Sequence, residues 1–226
     1  MADSILNKYA ELLVNYSLEI KKDDQVLIQG EDVSKDLIKE IYKEVLKNGG
    51  HPLVITKFDE QEELFYKYAS EDQLNYSAPF TKYLMENVDA ALKILGHNNT
   101  KNLAGVDPEK IKKRSIAQKE ISEILMNRAA EGSLNWNICQ FPTHADAQEA
   151  GMSLSDYKEF VYQACHLNKE DPVAYWENFG EELERIAAIL NKKDELHFIS
   201  EDTDLKVKVG GRTWVADKGK ENYPGG

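Results

Sequence analysis

The chain has 226 residues, of which 40 are acidic and 28 basic, so its formal net charge at pH 7 is −12. A negative charge of this size repels phosphate backbones and anionic lipid surfaces, which disfavours binding to nucleic acid or to a membrane. The hydrophobic fraction of 42% suffices for the core of one large domain, or of one domain with a partial second. No run of apolar residues approaches membrane-spanning length, and the first residues lack the basic and apolar regions of a signal peptide. We therefore expect a cytoplasmic protein.

The amino-terminal part predicts a helix followed by a strand, a helix and a strand. An amphipathic helix is expected over residues 3–19. Two short runs rich in β-branched residues, 26–28 and 53–55, flank a second amphipathic helix that Gly49-Gly50 ends. A crossover of this length joins parallel strands, and parallel strands are covered by helices on both faces. The predicted fold class is therefore α/β, with a mostly parallel sheet flanked by helices.

The middle of the chain predicts a third strand with a polar turn after it. Two or three short helices are expected over residues 59–86, and a strand over 88–95. The turn Gly96-His97-Asn98-Asn99 then lies at the carboxyl end of that strand, the edge at which open α/β sheets bind ligands. A plain surface turn explains the same residues, because glycine and asparagine are ordinary turn formers. Asp107-Pro108 begins a helix that should run to about residue 130.

The last third of the chain changes its pattern near residue 193. A fourth strand over 133–141, two short helices and a long helix from Asp171-Pro172 continue the α/β alternation. Residues 195–215 instead alternate like a β-hairpin that turns at Gly210-Gly211. This change predicts two domains: an amino-terminal α/β domain over 1–193, and the start of an incomplete β-rich domain over 194–226.

No set of residues in the sequence has the spacing of a known catalytic site. The chain has five histidines, none of them in an HExxH helix, and His144 with Asp146 forms a pair without a third metal ligand. Nucleophile-elbow, Walker and dinucleotide-binding patterns are absent after the predicted strands. Cys139 and Cys165 are expected to be reduced core residues. We predict no catalytic residue and no metal ligand within this chain.

Three passages nevertheless resemble one family of enzymes. They are KYAELLVNYSLEIKKDDQVLIQG at 8–30, NWNICQFPTHADAQEAGMSLSDY at 135–157 and TDLKVKVGGRTWVADKGKENYPGG at 203–226. In order and spacing they resemble the aminopeptidase T and aminopeptidase S family of metallo-aminopeptidases, of the thermophilic metalloprotease type. The resemblance covers nearly the whole chain and corresponds to the amino-terminal portion of that family.

The resemblance implies a function for the full-length protein, and it implies that this chain carries only part of what that function needs. Members of the family have an α/β amino-terminal domain and a catalytic carboxyl-terminal domain, form dimers, and bind two divalent cations, zinc or cobalt. They remove amino-terminal residues from peptides. Their first metal ligand is the Glu of a Pro-x-Gly-Glu sequence, whereas this chain reads Pro224-Gly225-Gly226. The resemblance thus implies the substrate-enclosing part of a dinuclear aminopeptidase, inactive alone, with no cofactor of its own, and a homodimer when full length.

Three residues are candidates for the substrate cavity, and two other functions stay open. Trp136 could form an apolar wall, Thr143 a hydrogen-bond donor and Arg212 an anchor for a peptide carboxylate, although core packing is the more common role of a tryptophan in such a strand. The alternatives are a non-catalytic, Rossmann-like module that binds a small ligand at its strand ends, and a dimerisation module.

Overall fold

The computed structural model describes residues 2–225 and contains a five-stranded parallel sheet flanked by helices, with a separate two-stranded antiparallel sheet. The strand order of the large sheet is β2-β1-β3-β4-β7. This arrangement confirms the predicted fold class. The strands are β1 Gln25–Glu31, β2 His51–Lys57, β3 Ala90–Leu95, β4 Asn135–Gln140, β5 Glu195–Ser200, β6 Thr203–Lys208 and β7 Asn222–Tyr223.

The helices surround the sheet in the order that the sequence pattern predicted, with a π-helix at Leu12–Ser17 and a 3-10 turn at Asp32–Ser34. No described helix is long and apolar enough to cross a membrane. The α-helices are α1 Ala2–Glu11, α2 Lys35–Lys47, α3 Gln61–Tyr68, α4 Glu71–Leu74, α5 Pro79–Asn87, α6 Pro108–Ala117, α7 Lys119–Ala130, α8 His144–Glu149, α9 Leu154–Ala164 and α10 Pro172–Leu190.

Each face of the large sheet has its own apolar cluster. Val26, Ile28 and Leu92 lie in the larger cluster, which also holds the buried side chains of α1, the π-helix and α2. Leu27 and Ala91, on the opposite face, lie in a smaller cluster with the buried side chains of α5 and α7. This alternation follows from the two-residue period of strands and explains why β1 is a continuous apolar run.

Two predicted helices differ in form from the expectation. The helix expected from Asp107 to about residue 130 is divided at Gln118, whose N–H is shared among carbonyls of the preceding turn. The first helix widens after Glu11 into the π-helix, where Leu18 N–H donates to Leu13 O at 2.9 Å. A wider turn brings Leu12, Leu13 and Val14 all into the core, which a regular helix with one apolar stripe cannot do.

The predicted hairpin turn at Gly210-Gly211 is wrong. The observed hairpin is formed by β5 and β6, which pair antiparallel from Glu195↔Lys208 to Ser200↔Thr203, so its turn lies at residues 201–202. Residues 213–215 do not return along β6, because Asn191 at the end of α10 binds the Trp214 backbone: its Oδ1 accepts from the Trp214 N–H at 2.7 Å, and its Nδ2 donates to the Trp214 carbonyl at 3.2 Å.

The segment 218–223 packs against the large sheet and adds β7 to its edge. Ser17 Oγ donates to Gly219 O at 2.7 Å, Asn137 Nδ2 donates to Lys220 O at 2.9 Å, and the Tyr223 hydroxyl donates to Cys165 O at 2.8 Å. Tyr223 is 2% exposed. The last strand of the chain therefore joins a sheet that begins near residue 25. The division of the chain at residue 193 stays a prediction.

Both cysteines are free and buried, as expected of core residues. Burial raises the pKa of the Cys165 thiol to about 12, against a weaker opposing effect of its hydrogen bond with Tyr9. Burial likewise raises the pKa of the Cys139 thiol. A thiol with so high a pKa is almost wholly protonated at neutral pH, so neither cysteine has the character of a nucleophile.

Candidate functional site

The order of the strands switches from one side of β1 to the other between β2 and β3, and a cavity opens at that point. From β1 the chain crosses to β2 on one side, and β3 then pairs with β1 on the other side. Such a switch point leaves a crevice at the carboxyl ends of the strands. Here the crevice is a cavity of about 480 Å³, whose lining includes Glu31, Lys57, Lys93 and His97.

The turn after β3 forms one wall of the cavity, as the strand-end pattern predicted. Gly96, His97, Asn99 and Thr100 all line it. A side chain at Gly96 would be crowded by the neighbouring backbone, because a Cβ there would lie 3.0 Å from the Phe141 carbonyl oxygen. The turn thus lies directly against the chain that follows β4.

Hydrogen bonds to two neighbouring elements hold the loop beyond that turn. Asn98 Nδ2 donates to Asp32 Oδ1 at 3.1 Å, on the side of β1. On the other side, Thr100 Oγ1 and Lys101 Nζ donate to the Glu149 carboxylate at 2.9 and 3.1 Å, and these two bonds lower the pKa of that carboxyl. The loop is therefore fixed at both ends, which favours a preformed wall for the cavity.

A largely buried carboxylate binds His97 at the rim of the cavity. Asp146 accepts from His97 Nδ1 at 3.1 Å when that nitrogen carries its proton, and its other oxygen accepts from the Thr143 hydroxyl at 2.7 Å and from Gln140 Nε2 at 3.1 Å. The Asp146 side chain is 11% exposed, whereas the His97 side chain is 44% exposed. A carboxylate with three donors fixes the ring plane of His97, so its free edge has a defined orientation.

Beside β1 and β2, Lys57 has an ion-pair partner but the Glu31 carboxylate has none among the described residues. Lys57 Nζ lies 2.5 Å from Glu62 Oε1, so this lysine is already paired. Burial raises the pKa of the Glu31 carboxyl, and the nearby acids Asp59 and Glu62 add to that rise, while the charges of His97 and Lys57 oppose it. The cavity consequently contains a carboxylate whose ionised form is poorly compensated.

The three predicted cavity residues lie in three different places. Thr143 is 3% exposed and is the N-cap of α8, where its hydroxyl accepts from the Asp146 N–H at 3.1 Å and so contacts the network beneath His97. Trp136 is half-buried near the amino end of β4 and packs on the smaller core cluster. Arg212 is exposed in the segment after β6. Their role at a substrate cavity stays a prediction.

The sequence did not predict the pairing of Asp146 with His97. The adjacent pair in sequence is His144 with Asp146, but His144 is exposed and Asp146 binds His97, which is 49 positions away. Only the positions of the two residues relative to the strands indicated that they could meet. The His97 turn follows β3 and the Pro-Thr turn before α8 follows β4, and the carboxyl ends of these parallel strands lie at the same edge of the sheet.

The chain matches the model of one protein family over nearly its whole length. The model of the family described as thermophilic metalloprotease (M29) matches residues 2–225. The chain belongs to this family. The assignment confirms the resemblance that the three sequence passages indicated.

Relatives within the thermophilic metalloprotease family are similar over most of this chain. Aminopeptidase T of Thermus aquaticus is 25% identical over 92% of this chain and 54% of its own length. Aminopeptidase AmpS of Bacillus subtilis (strain 168) is 22% identical over 97% of this chain and 57% of its own length. The chain thus spans little more than half the length of these curated relatives. The solved structure of wild-type AmpT from Thermus thermophilus shares the fold, with a TM-score of 0.77 and 22% identity over 98% of this chain and 59% of that one.

The metal dependence that the family name implies has no matching side chains among the described residues. Within residues 2–225, no three His, Cys, Asp or Glu side chains are grouped so that they could hold a metal ion. The His97–Asp146 pair is the most compact candidate, but Asp146 is already occupied by Thr143 and Gln140. A metal centre needs three or four protein ligands in most zinc sites, and this pair does not supply them.

Proposed function

We propose that this chain forms the amino-terminal, substrate-enclosing part of an aminopeptidase that uses two divalent cations, zinc or cobalt, to remove amino-terminal residues from peptides. The observation that carries the proposal is the family match over residues 2–225. The aminopeptidase names of its relatives support the activity and the peptide substrate. The cytoplasmic location and the homodimer of the full-length protein are further parts of the same proposal.

The catalytic metal centre is proposed to lie in the part of the family's length that this chain does not cover. Activation of water between two ions requires several carboxylates and histidines held at short distances. No such group occurs among residues 2–225. Within the described part of the chain, the groups left for contact with a peptide are therefore walls and polar anchors, and catalysis by this chain alone is not expected.

Thr143 is the best supported of the three proposed cavity residues, because it contacts the Asp146 network at the carboxyl edge of the sheet. Arg212 is exposed, and its guanidinium is proposed to bind a peptide carboxylate. Trp136 packs against the helices near the opposite end of its strand, which favours the core role that its sequence left open. The Gly226 of the Pro-Gly-Gly sequence lies outside the described residues.

A chimeric protein tests the proposed function. Residues 1–226 would replace the matched segment of Thermus aquaticus aminopeptidase T, and hydrolysis of amino-acid p-nitroanilides and bound metal would be measured. We expect the chimera to retain bound metal and measurable hydrolysis, whereas a control protein that lacks the segment altogether should lose hydrolysis. A chimera that folds and binds as much metal as its parent, yet hydrolyses nothing, would contradict the enclosing role.

A further inference from the structure

One part of the large sheet is left uncovered, and it coincides with the cavity. Parallel sheets are normally covered on both faces. Leu27 and Ala91 are covered by the smaller core cluster, but the next residues on the same face, Gln29 and Lys93, line the cavity. β3 reads AALKIL, and Lys93 is its one exposed residue although the strand is central in the sheet. Because β3 is not an edge strand, exposure at a sheet edge does not explain a lysine at this position.

Lys93 and Glu31 are opposite charges at the cavity that do not pair with each other. Lys93 lies opposite Gln29 in the strand register, so its Cα is about 8 Å from that of Glu31, two residues further along β1. Long side chains can meet across such a diagonal. Among the described residues, however, the charges that act on Glu31 are those of His97, Asp59, Glu62 and Lys57, and Lys93 is not one of them.

The other charged groups at the cavity already have partners. Lys57 is paired with Glu62 at 2.5 Å, and His97 is paired with Asp146 at 3.1 Å. In the described part of the chain, neither Lys93 Nζ nor the Glu31 carboxylate takes part in any such ion pair. The cavity is therefore lined by one ammonium and one carboxylate, on neighbouring strands, that have no ion-pair partner among the described residues.

We propose that this cavity binds a small zwitterion, a free α-amino acid or a dipeptide, with its carboxylate beside Lys93 and its ammonium beside Glu31. The volume of about 480 Å³ lies within the range of small-molecule sites. Ile55, Leu95 and Leu103 also line the cavity and supply apolar surface for the ligand's side chain. The inference uses only residues of this chain and does not rest on the proposed aminopeptidase function.

The electrostatics of the cavity favour a zwitterion over a simple anion. A phosphate or nucleotide would lie beside Glu31 and Glu62, in a chain whose net charge is −12. An ammonium group would instead relieve the unfavourable burial that raises the pKa of the Glu31 carboxyl. A ligand that carries both charges can pair with Lys93 and with Glu31 at the same time, which neither a simple anion nor a simple cation can do.

Calorimetric titration of the chain with three related ligands tests the inference. L-leucine carries both charges, leucinamide lacks the carboxylate and N-acetyl-L-leucine lacks the ammonium. We expect leucine to bind with a dissociation constant of the order of 1 mM, and at least about tenfold more tightly than either analogue. The absence of saturable leucine binding up to about 20 mM would overturn the proposal, and so would equal affinity for leucine and leucinamide.

Two substitutions assign the charges, and a surface pair serves as their control. Lys93→Met should abolish the preference for leucine over leucinamide, and Glu31→Gln should abolish the preference over N-acetyl-L-leucine. The ion pair Lys112–Glu109 on α6 is 3.7 Å long and about two-thirds exposed, so Lys112→Met and Glu109→Gln should leave all three affinities unchanged. A Lys93→Met protein that keeps the wild-type preference would contradict the proposed site.

Discussion

Replacement of Trp176 by alanine is expected to lower the free energy of unfolding by about 3–5 kcal/mol, the range for deletion of a large buried aromatic side chain. Trp176 lies on the long helix α10, is 1% exposed and packs against Tyr223 of the last strand. Its ring centroid lies 5.1 Å from that of Tyr223, and its Nε1 donates to the Cys165 carbonyl at 3.2 Å. The substitution would open a cavity and leave that buried carbonyl with one donor fewer.

Urea denaturation followed by circular dichroism measures this loss of stability. Tyr68→Ala is the control, because Tyr68 is an aromatic residue on α3 that is 72% exposed, and its removal should change the free energy of unfolding by less than about 0.5 kcal/mol. A Trp176→Ala protein within about 1 kcal/mol of wild type would show that α10 and the segment 218–223 do not form one core with the sheet.

Asp146→Ala is expected to lower the free energy of unfolding by about 2–4 kcal/mol, because the substitution leaves three donors, one of them on the buried Thr143, without their charged acceptor. Three side chains donate to this carboxylate: His97, Thr143 and Gln140. Thr143 is 3% exposed, so water does not replace its hydrogen bond to Asp146. The turn that carries His97 should also loosen, which hydrogen exchange of its amides would report.

Asp156 provides a matched control for Asp146. Both aspartates are the third residue after a hydroxyl N-cap: Thr143 Oγ1 accepts from the Asp146 N–H, and Ser153 Oγ accepts from the Asp156 N–H. Asp156 is exposed. Asp156→Ala should therefore cost only the few tenths of a kcal/mol that an acid contributes at a helix amino terminus. If the two substitutions lower the free energy of unfolding by the same amount, Asp146 stabilises the protein through its position at the start of a helix and not through its hydrogen bonds.

The sequence predicted best those elements that are determined by local patterns. The strand, helix and strand at 24–58 were found because periodicity, a helix stop at Gly49-Gly50 and β-branched runs all agree there. The polar turn after β3 was likewise placed correctly at the carboxyl end of its strand, where it lines the cavity, and its binding of a ligand stays a prediction. Both inferences depend on contacts between residues that are close in the chain.

The elements that the sequence did not predict depend on distant contacts. β7 is two residues long, and its segment is held by Ser17 and Asn137, which are 202 and 83 positions away from their partners. No local pattern encodes such bonds. The false hairpin at Gly210-Gly211 has the same cause, since the pairing there is decided by the distant Asn191.

The sequence predicted only some of the residues of the candidate site. His97 was noted as part of a turn, but its partner Asp146 could be found only from the meeting of two strand ends. The indication that was missed is Lys93, a charge inside an otherwise apolar strand. A parallel strand at the centre of a sheet has no solvated face by default, so that lysine marks a place where the sheet is open.

Calorimetric titration of the chain with zinc and cobalt ions, followed by an assay of the loaded protein against amino-acid amides, tests most directly whether residues 2–225 lack the family's metal centre. We expect no stoichiometric tight binding of either ion and no release of amino acid, because no three suitable ligands are grouped among the described residues. Two ions bound per chain with a dissociation constant below about 1 μM, together with hydrolysis of the amides, would contradict this result.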